Sequence, residues 1–288
     1  MQLSVVILSN ITDSASAELL MDAVSSLSSS ISHNDYEVIV VESGDFIQSE
    51  NIIGKRGIVI AYDFKDFNFH KALNQGFVKA RGEYICFSNN DVIFHENWFK
   101  NIKIVLEKKG LKAGSPVDPK DNKLWMFDKS NLSFIEGYEI QKFFKGWCFV
   151  IENQSMKRLK KFDERFQFYF ADNDLVLELL KFNIRHAVVL NSFVEHREKQ
   201  QVEIIENLEE LKKINGHLFD AIPPEIIENE HFWKIQNTKM TAGLIEFHKK
   251  WGSMSMLNRK FKIALFLTKY RFGFLNRLVL FSRHQSYL

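Results

Sequence analysis

Short apolar runs alternate with stretches of helical spacing along the first two thirds of the chain. Residues 4–9 (SVVILS) read as a buried strand, and in 15–30 Leu19, Leu20, Ala23, Val24 and Leu27 recur at helix spacing. Further strands are predicted over 36–41, 57–61 and 84–87, with helices over 68–79 and 97–109. Trp98, Ile102, Val105 and Leu106 share one face of the last of these. Such alternation builds right-handed βαβ units and a parallel sheet. Residues 111–145 show no clear period and hold Pro116, Pro119, Trp125 and Phe127. Beyond them a strand is predicted over 146–151, a helix over 172–182, strands over 187–190 and 192–194, and an amphipathic helix over 203–214.

Composition changes this picture little. With 288 residues, 45% hydrophobic and 26% charged, the chain has room for one large domain and an appendage. Cys86 and Cys148 both lie in apolar runs and read as reduced, buried thiols. The start lacks the basic and apolar segments of a signal peptide, and no window is apolar enough to span a bilayer, so a cytoplasmic location is expected. Charge does add something. The net value of +2 conceals a segment after Glu246 with no acid and 9 of the 38 basic residues, while the first 246 residues sum to −7. Residues 256–280 interleave those cations with Leu, Ile, Phe and Tyr, a pattern suited to an anionic membrane surface. A helical cap on the protein and self-association are the alternatives. Nucleic acid is not expected, because no binding motif accompanies the charge.

Four polar clusters end apolar strands or head a helix: Glu42 to Asp45, Asn89-Asn90-Asp91, Asp172 to Asp174, and Glu195-His196. Each alone has a plain structural reading. Asp91 suits a turn, Asp172 and Asp174 suit the first turn of a helix, and His196 suits a strand end. In an open α/β sheet, however, ligands sit at the carboxyl ends of the strands. Four such clusters in one alternating pattern point to a site that handles phosphate or a hard cation.

The segments SVVILSN, YEVIVVESGD, FNFHKALNQGFVKARGEYICFSNNDV and GWCFVIENQSMKRLKKFDERFQFYFADNDL occur in the order and spacing of a known family. The chain resembles the family 2 inverting glycosyltransferases of GT-A fold, of the bacterial surface-polysaccharide type, over residues 4 to about 197. The resemblance implies a Rossmann-like, mostly parallel sheet flanked by helices as a catalytic domain over 1–200. A helical extension over 201–288 follows, with a basic tail from about 247. It implies donor contacts at Glu42, Asn74, Asn89, Asn90, Asp91, Gly146 and Trp147, and a Mn²⁺ or Mg²⁺ site at Asp91 and His196. Asp172 falls at the catalytic base, and Trp147 and Asp174 on the acceptor side. The donor would be a nucleotide sugar, and the acceptor a glycan or lipid-linked saccharide.

The chain departs from the family pattern at Asn89, where a second metal-binding acid is common, at Ala171, where Glu usually precedes the base, and at Glu42-Ser43 in place of paired acids. A non-catalytic nucleotide- or glycan-binding module on the same fold is the alternative these departures allow. A nucleotidyltransferase ranks last, since Asn10-Ile11-Thr12-Asp13 offers no glycine-rich basic loop.

Overall fold

The structure is a computed structural model that describes residues 1–32, 35–63, 65, 67–121, 133–197, 205–229 and 237–282. Trp125, Phe127, Ile204 and Arg283 lie outside the described residues. The chain forms two compact units. One comprises Met1–Phe67, Ala72–Phe162 and Ile184–Glu198; the other comprises Asn68–Lys71, Asp163–Asn183 and Lys199–Leu288.

The first unit is a nine-stranded sheet with helices. Its strands are β1 (Leu3–Ser9), β2 (Tyr36–Glu42), β3 (Gly57–Ala61), β4 (Tyr84–Asn89), β5 (Val92–Phe94), β6 (Ala113–Val117), β7 (Phe134–Glu136), β8 (Cys148–Glu152) and β9 (His186–His196). They lie in the order β3-β2-β1-β4-β8-β6-β9-β5, with β7 beside β9. The β3-β2-β1-β4 block is parallel, and the apolar runs of β1, β2 and β4 have the continuous character of strands covered on both faces. From β8 onward the pairing is mixed: β4–β8 and β6–β8 are antiparallel and β6–β9 is parallel. Helices α1 (Ser14–Ser30), α2 (Phe46–Ile53), α3 (Phe69–Lys79), α4 (Trp98–Lys109) and α5 (Asn153–Leu159) alternate with the strands.

The predicted elements are found with their ends moved by a residue or two, while three details differ. The strands expected over 187–190 and 192–194 are one continuous β9. The irregular segment contributes β6, which sits inside the sheet despite Pro116. Its register shifts between Ser115 and Val117, a local irregularity that accommodates a residue with no N–H to give. The helix expected over 203–214 starts at Leu208, where Asn207 caps it.

Close approach fixes how α3 lies on the sheet. A Cβ at Gly76 would come within 2.3 Å of Val6 Cγ1, so only glycine lets the helix pack on β1 here. Two residues earlier, Asn74 joins both edges of the Phe162 peptide: its Nδ2 donates to the carbonyl at 3.0 Å and its Oδ1 accepts from the N–H at 2.9 Å. The cysteines are free and buried, with their sulfurs 3.8 Å apart. His186 at the head of β9 is also buried, bonded to Ser115 Oγ at 3.0 Å and to the Gly137 carbonyl at 2.8 Å. Burial lowers its pKa to about 4, so it is neutral at physiological pH.

The second unit is helical. It contains α6 (Ala171–Lys181), α7 (Leu208–Asn215), α8 (Pro224–Ile227), α9 (Thr238–Trp251), α10 (Met254–Lys269) and α11 (Asn276–Val279). Ile205, Leu211, Ile222, Ile226, Leu244 and Ile245 form its small core. No helix among the described residues is long and apolar enough to cross a membrane.

Candidate active site

Strand β4 is held on one side by β1 and on the other by β8, which makes its carboxyl end a rigid platform. There the chain gives Asn89, Asn90 and Asp91 before turning into β5. The Asn89 N–H donates to the Trp147 carbonyl at 2.9 Å, tying this end of β4 to the segment that enters β8. On the other side Val92 pairs with His196, and the Arg197 N–H donates to the Asp91 carbonyl at 2.9 Å. Asp91 and His196, 105 residues apart in sequence, are thereby brought together.

Their side chains meet with Asp91 Oδ2 and His196 Nε2 3.1 Å apart. The approach lacks hydrogen-bond alignment, and both Nε2 and Asp91 Oδ1 are buried with no hydrogen-bond partner among the described residues. Asp91 is only 8% exposed. A buried carboxylate oxygen without a partner costs about 1–3 kcal/mol, and such an atom at a strand end calls for a ligand. The indole of Trp147 lies flat on the His196 ring, centroids 5.0 Å apart and planes 8° from parallel. Gly146 and Trp147 are half-buried, as are Asn89 and Asn90.

Two other expected donor contacts are committed inside the protein. Glu42 Oε1 accepts from the Ile11 and Gly44 N–H groups at 2.8 and 2.7 Å, and Oε2 accepts from Ser49 Oγ at 2.6 Å. The carboxylate thus organises the loops after β1 and β2. Asn74 is taken up by the Phe162 peptide, as described above.

Asp172 belongs to the second unit, in the first turn of α6. The helix starts from Phe170, which adopts a left-handed φ of 63° and offers no side-chain cap. The positive end of a helix favours a carboxylate. Burial nevertheless prevails and pushes the Asp172 pKa from 3.8 up to about 6. That value suits a group that must take a proton near neutrality.

Asp174, one half-turn on, is 2% exposed. Its Oδ1 accepts from Trp251 Nε1 at 2.8 Å and pairs with Lys250 Nζ at 2.6 Å. The same ammonium lies 2.9 Å from Asp163 Oδ2 and 3.1 Å from Glu178 Oε1. Asp163 is also held by Arg165 at 2.5 Å. Burial alone would lower the Lys250 pKa, yet the three carboxylates, Asp174 foremost, hold it above the ordinary lysine range. Burial alone would raise Asp163, yet Arg165 and Lys250 hold it well below the carboxylate range. For Asp174 burial wins and raises it to about 6. Across the physiological range we take Lys250 as charged, because three acids surround it. This cluster and the Trp147–His196 stack are features the sequence did not announce: Lys250 follows Lys249 in a basic stretch, as a solvated lysine would.

The family model for Glycosyl transferase family 2 matches residues 12–166. The chain belongs to this family and carries the GT-A fold. Among solved structures it is similar to S. aureus TarS, with 12% identity and a TM-score of 0.54 over 98% of this chain and 44% of that one. A TarS 1-349 structure gives the same identity and score over 97% of this chain and 90% of that one. GalNAc-T7 with UDP, GalNAc and Mn²⁺ is similar at 14% identity and a TM-score of 0.56, over 86% of this chain and 57% of that one. The chain thus spans less than two thirds of the full TarS and GalNAc-T7 chains compared. No curated protein matches it.

The residues present fit a hard divalent cation. Asp91 supplies an unpartnered carboxylate oxygen and His196 a nitrogen next to it. Among the described residues no group of three or more His, Cys, Asp and Glu could hold a metal by itself. Any further ligands would therefore have to come from a bound substrate or from water. Trp147 fixes the plane of the histidine ring, which gives a test. Trp147→Ala is expected to weaken Mn²⁺ binding in the presence of UDP about tenfold, whereas Trp147→Phe, which keeps a flat ring, stays close to the parent. Electron paramagnetic resonance of free Mn²⁺ measures both.

Proposed function

We propose that this chain is a metal-dependent inverting glycosyltransferase that moves a sugar from a nucleotide-sugar donor to a hydroxyl of a glycan or lipid-linked acceptor in surface-polysaccharide synthesis. One observation carries the reading: in a family 2 chain, Asp91 stands two residues past the end of β4, its buried Oδ1 has no hydrogen-bond partner among the described residues, and its Oδ2 lies 3.1 Å from His196 Nε2. Likeness in fold to GalNAc-T7, whose structure holds UDP, GalNAc and Mn²⁺, supports it.

A divalent cation bound at Asp91 and His196 would supply positive charge to the departing diphosphate. The chain's own residues do the rest. Asn89, Asn90, Gly146 and Trp147 hold the donor beside that pair. Asp172 takes the proton of the attacking hydroxyl as its oxygen bonds to the anomeric carbon, and the nucleoside diphosphate leaves from the opposite face. Inversion follows from this single displacement.

Incubation with UDP-, GDP- and dTDP-sugars and Mn²⁺ tests the reading. One donor is expected to turn over, and Asp91→Asn to lower both Mn²⁺ affinity and turnover by about 100-fold or more. The same substitution removes a buried carboxylate whose Oδ1 has no hydrogen-bond partner among the described residues, so thermal stability without metal is expected to hold or rise. Absence of turnover with every donor would defeat the catalytic claim and leave a binding module, which would still show a nucleotide-dependent thermal shift.

A further inference from the structure

The end of the chain presents an outward face that the second unit does not use. In α10, Leu257 and Ala264 are buried, while Met256, Ile263, Phe266 and, at the C-cap, Tyr270 are exposed, Phe266 by 60%. At about 100° per residue those four fall within an arc of roughly 80° on the side away from the buried pair. After the helix, Phe272, Phe274, Leu278 and Phe281 continue the exposure, Leu278 at 79%. Soluble surfaces seldom gather so many large apolar side chains, and a gathering of this kind marks a contact surface.

Charge identifies the occupant. Arg259, Lys260, Lys262, Lys269 and Arg271 border the apolar side chains, and no ion pair engages them among the described residues. No acid occurs anywhere after Glu246. A second copy meeting this face would set cations against cations, which is unfavourable. An anionic bilayer offers the complement: phosphate for the lysines and arginines, an acyl boundary for Phe, Leu and Ile, and an interface in which aromatic rings settle. We propose that the outer face of α10 and the residues through Phe281 lie flat in the interface of an anionic membrane. The surface does not depend on the transfer chemistry; with it, the chain would work where a lipid-linked acceptor resides.

Flotation of the full chain with vesicles of phosphatidylglycerol and phosphatidylcholine tests this. Binding is expected to be at least about tenfold stronger than to phosphatidylcholine alone, and to be lost in about 1 M NaCl. The pair Phe266→Ser/Phe274→Ser and the pair Lys262→Glu/Lys269→Glu should each lower it at least about tenfold. Their side chains are exposed, so circular dichroism should match the parent. Equal flotation of parent and variants, or no flotation of the parent, overturns the proposal. So does a lipid-free dimer in analytical ultracentrifugation that Phe266→Ser/Phe274→Ser abolishes. Turnover of a soluble donor by the same variants should stay at the parent rate, so a failure of membrane binding is separable from a failure of the transfer reading.

Discussion

Replacing Asp172 with asparagine is expected to lower kcat by about 10²–10⁴-fold, with donor KM little changed. Asparagine keeps the shape and the first-turn position on α6 but cannot take a proton. The pH profile distinguishes this from a structural loss. Burial pushes the Asp172 pKa up to about 6, so in the parent kcat should fall about tenfold per pH unit below that value. The variant should lose that acid limb. Stability moves the other way. A folded pKa above the unfolded 3.8 means that ionisation favours the unfolded chain, a penalty that grows between pH 4 and 6 and is constant above. Asp172→Asn removes it, so the variant should melt no lower than the parent at pH 7. An unchanged kcat would remove Asp172 from the mechanism.

Lys250→Met is expected to cost about 3–5 kcal/mol of stability, because it leaves Asp163, Asp174 and Glu178 facing one another around a lost cation. Guanidinium titration at constant m-value measures this. The signs differ among the partners. The raised Lys250 pKa gives stability that is present below the ordinary 10.5 and fades as pH climbs through the folded value. The depressed Asp163 gives stability present above 3.8 and lost as pH falls through its folded value. In the variant the stranded acids take up protons instead, so the deficit against the parent should shrink toward pH 5. Adding Asp174→Asn should recover part of it, since one buried charge is then gone. Additive losses in that double variant would contradict the pairing. Because Asp163 and Asp174 bracket the start of α6, Lys250→Met should also lower kcat by displacing Asp172.

The parallel half of the sheet was legible because β1, β2 and β4 are buried on both faces, and their apolar runs stop where the sheet stops. Asn89-Asn90-Asp91 stood out for the complementary reason, as polar residues where a buried strand had no need of them. The pairing of Asp91 with His196 was legible through family likeness, since nothing local links them. The role of Glu42 was not, because its three donors come from Ile11, Gly44 and Ser49, and only the closed fold assembles them. Lys250 escaped notice for an opposite reason. Flanked by Lys249 and Trp251, it reads as one more cation of a basic tail, and its 4% exposure depends on acids about 70 to 90 residues earlier. Likewise β6 was not legible in the aperiodic 111–145 stretch, because Pro116 interrupts it and the register shift beside that residue is set by pairing with β9.

Strand β9 carries a histidine at each end, His186 and His196, ten residues apart. At one end the imidazole has both nitrogens bonded and stays neutral far below physiological pH. At the other it lies under an indole with a nitrogen left open beside a carboxylate. The strand thus joins a fully bonded imidazole at one end to an open one at the other. Between them β9 takes five steps, Val188 to Phe193, where β6 takes two, Ser115 to Val117, so a change in that irregularity would alter how far the second imidazole stands from the first. The irregularity lies beside the contact of Ser115 with His186, so the β6–β9 register there sets the second histidine's reach.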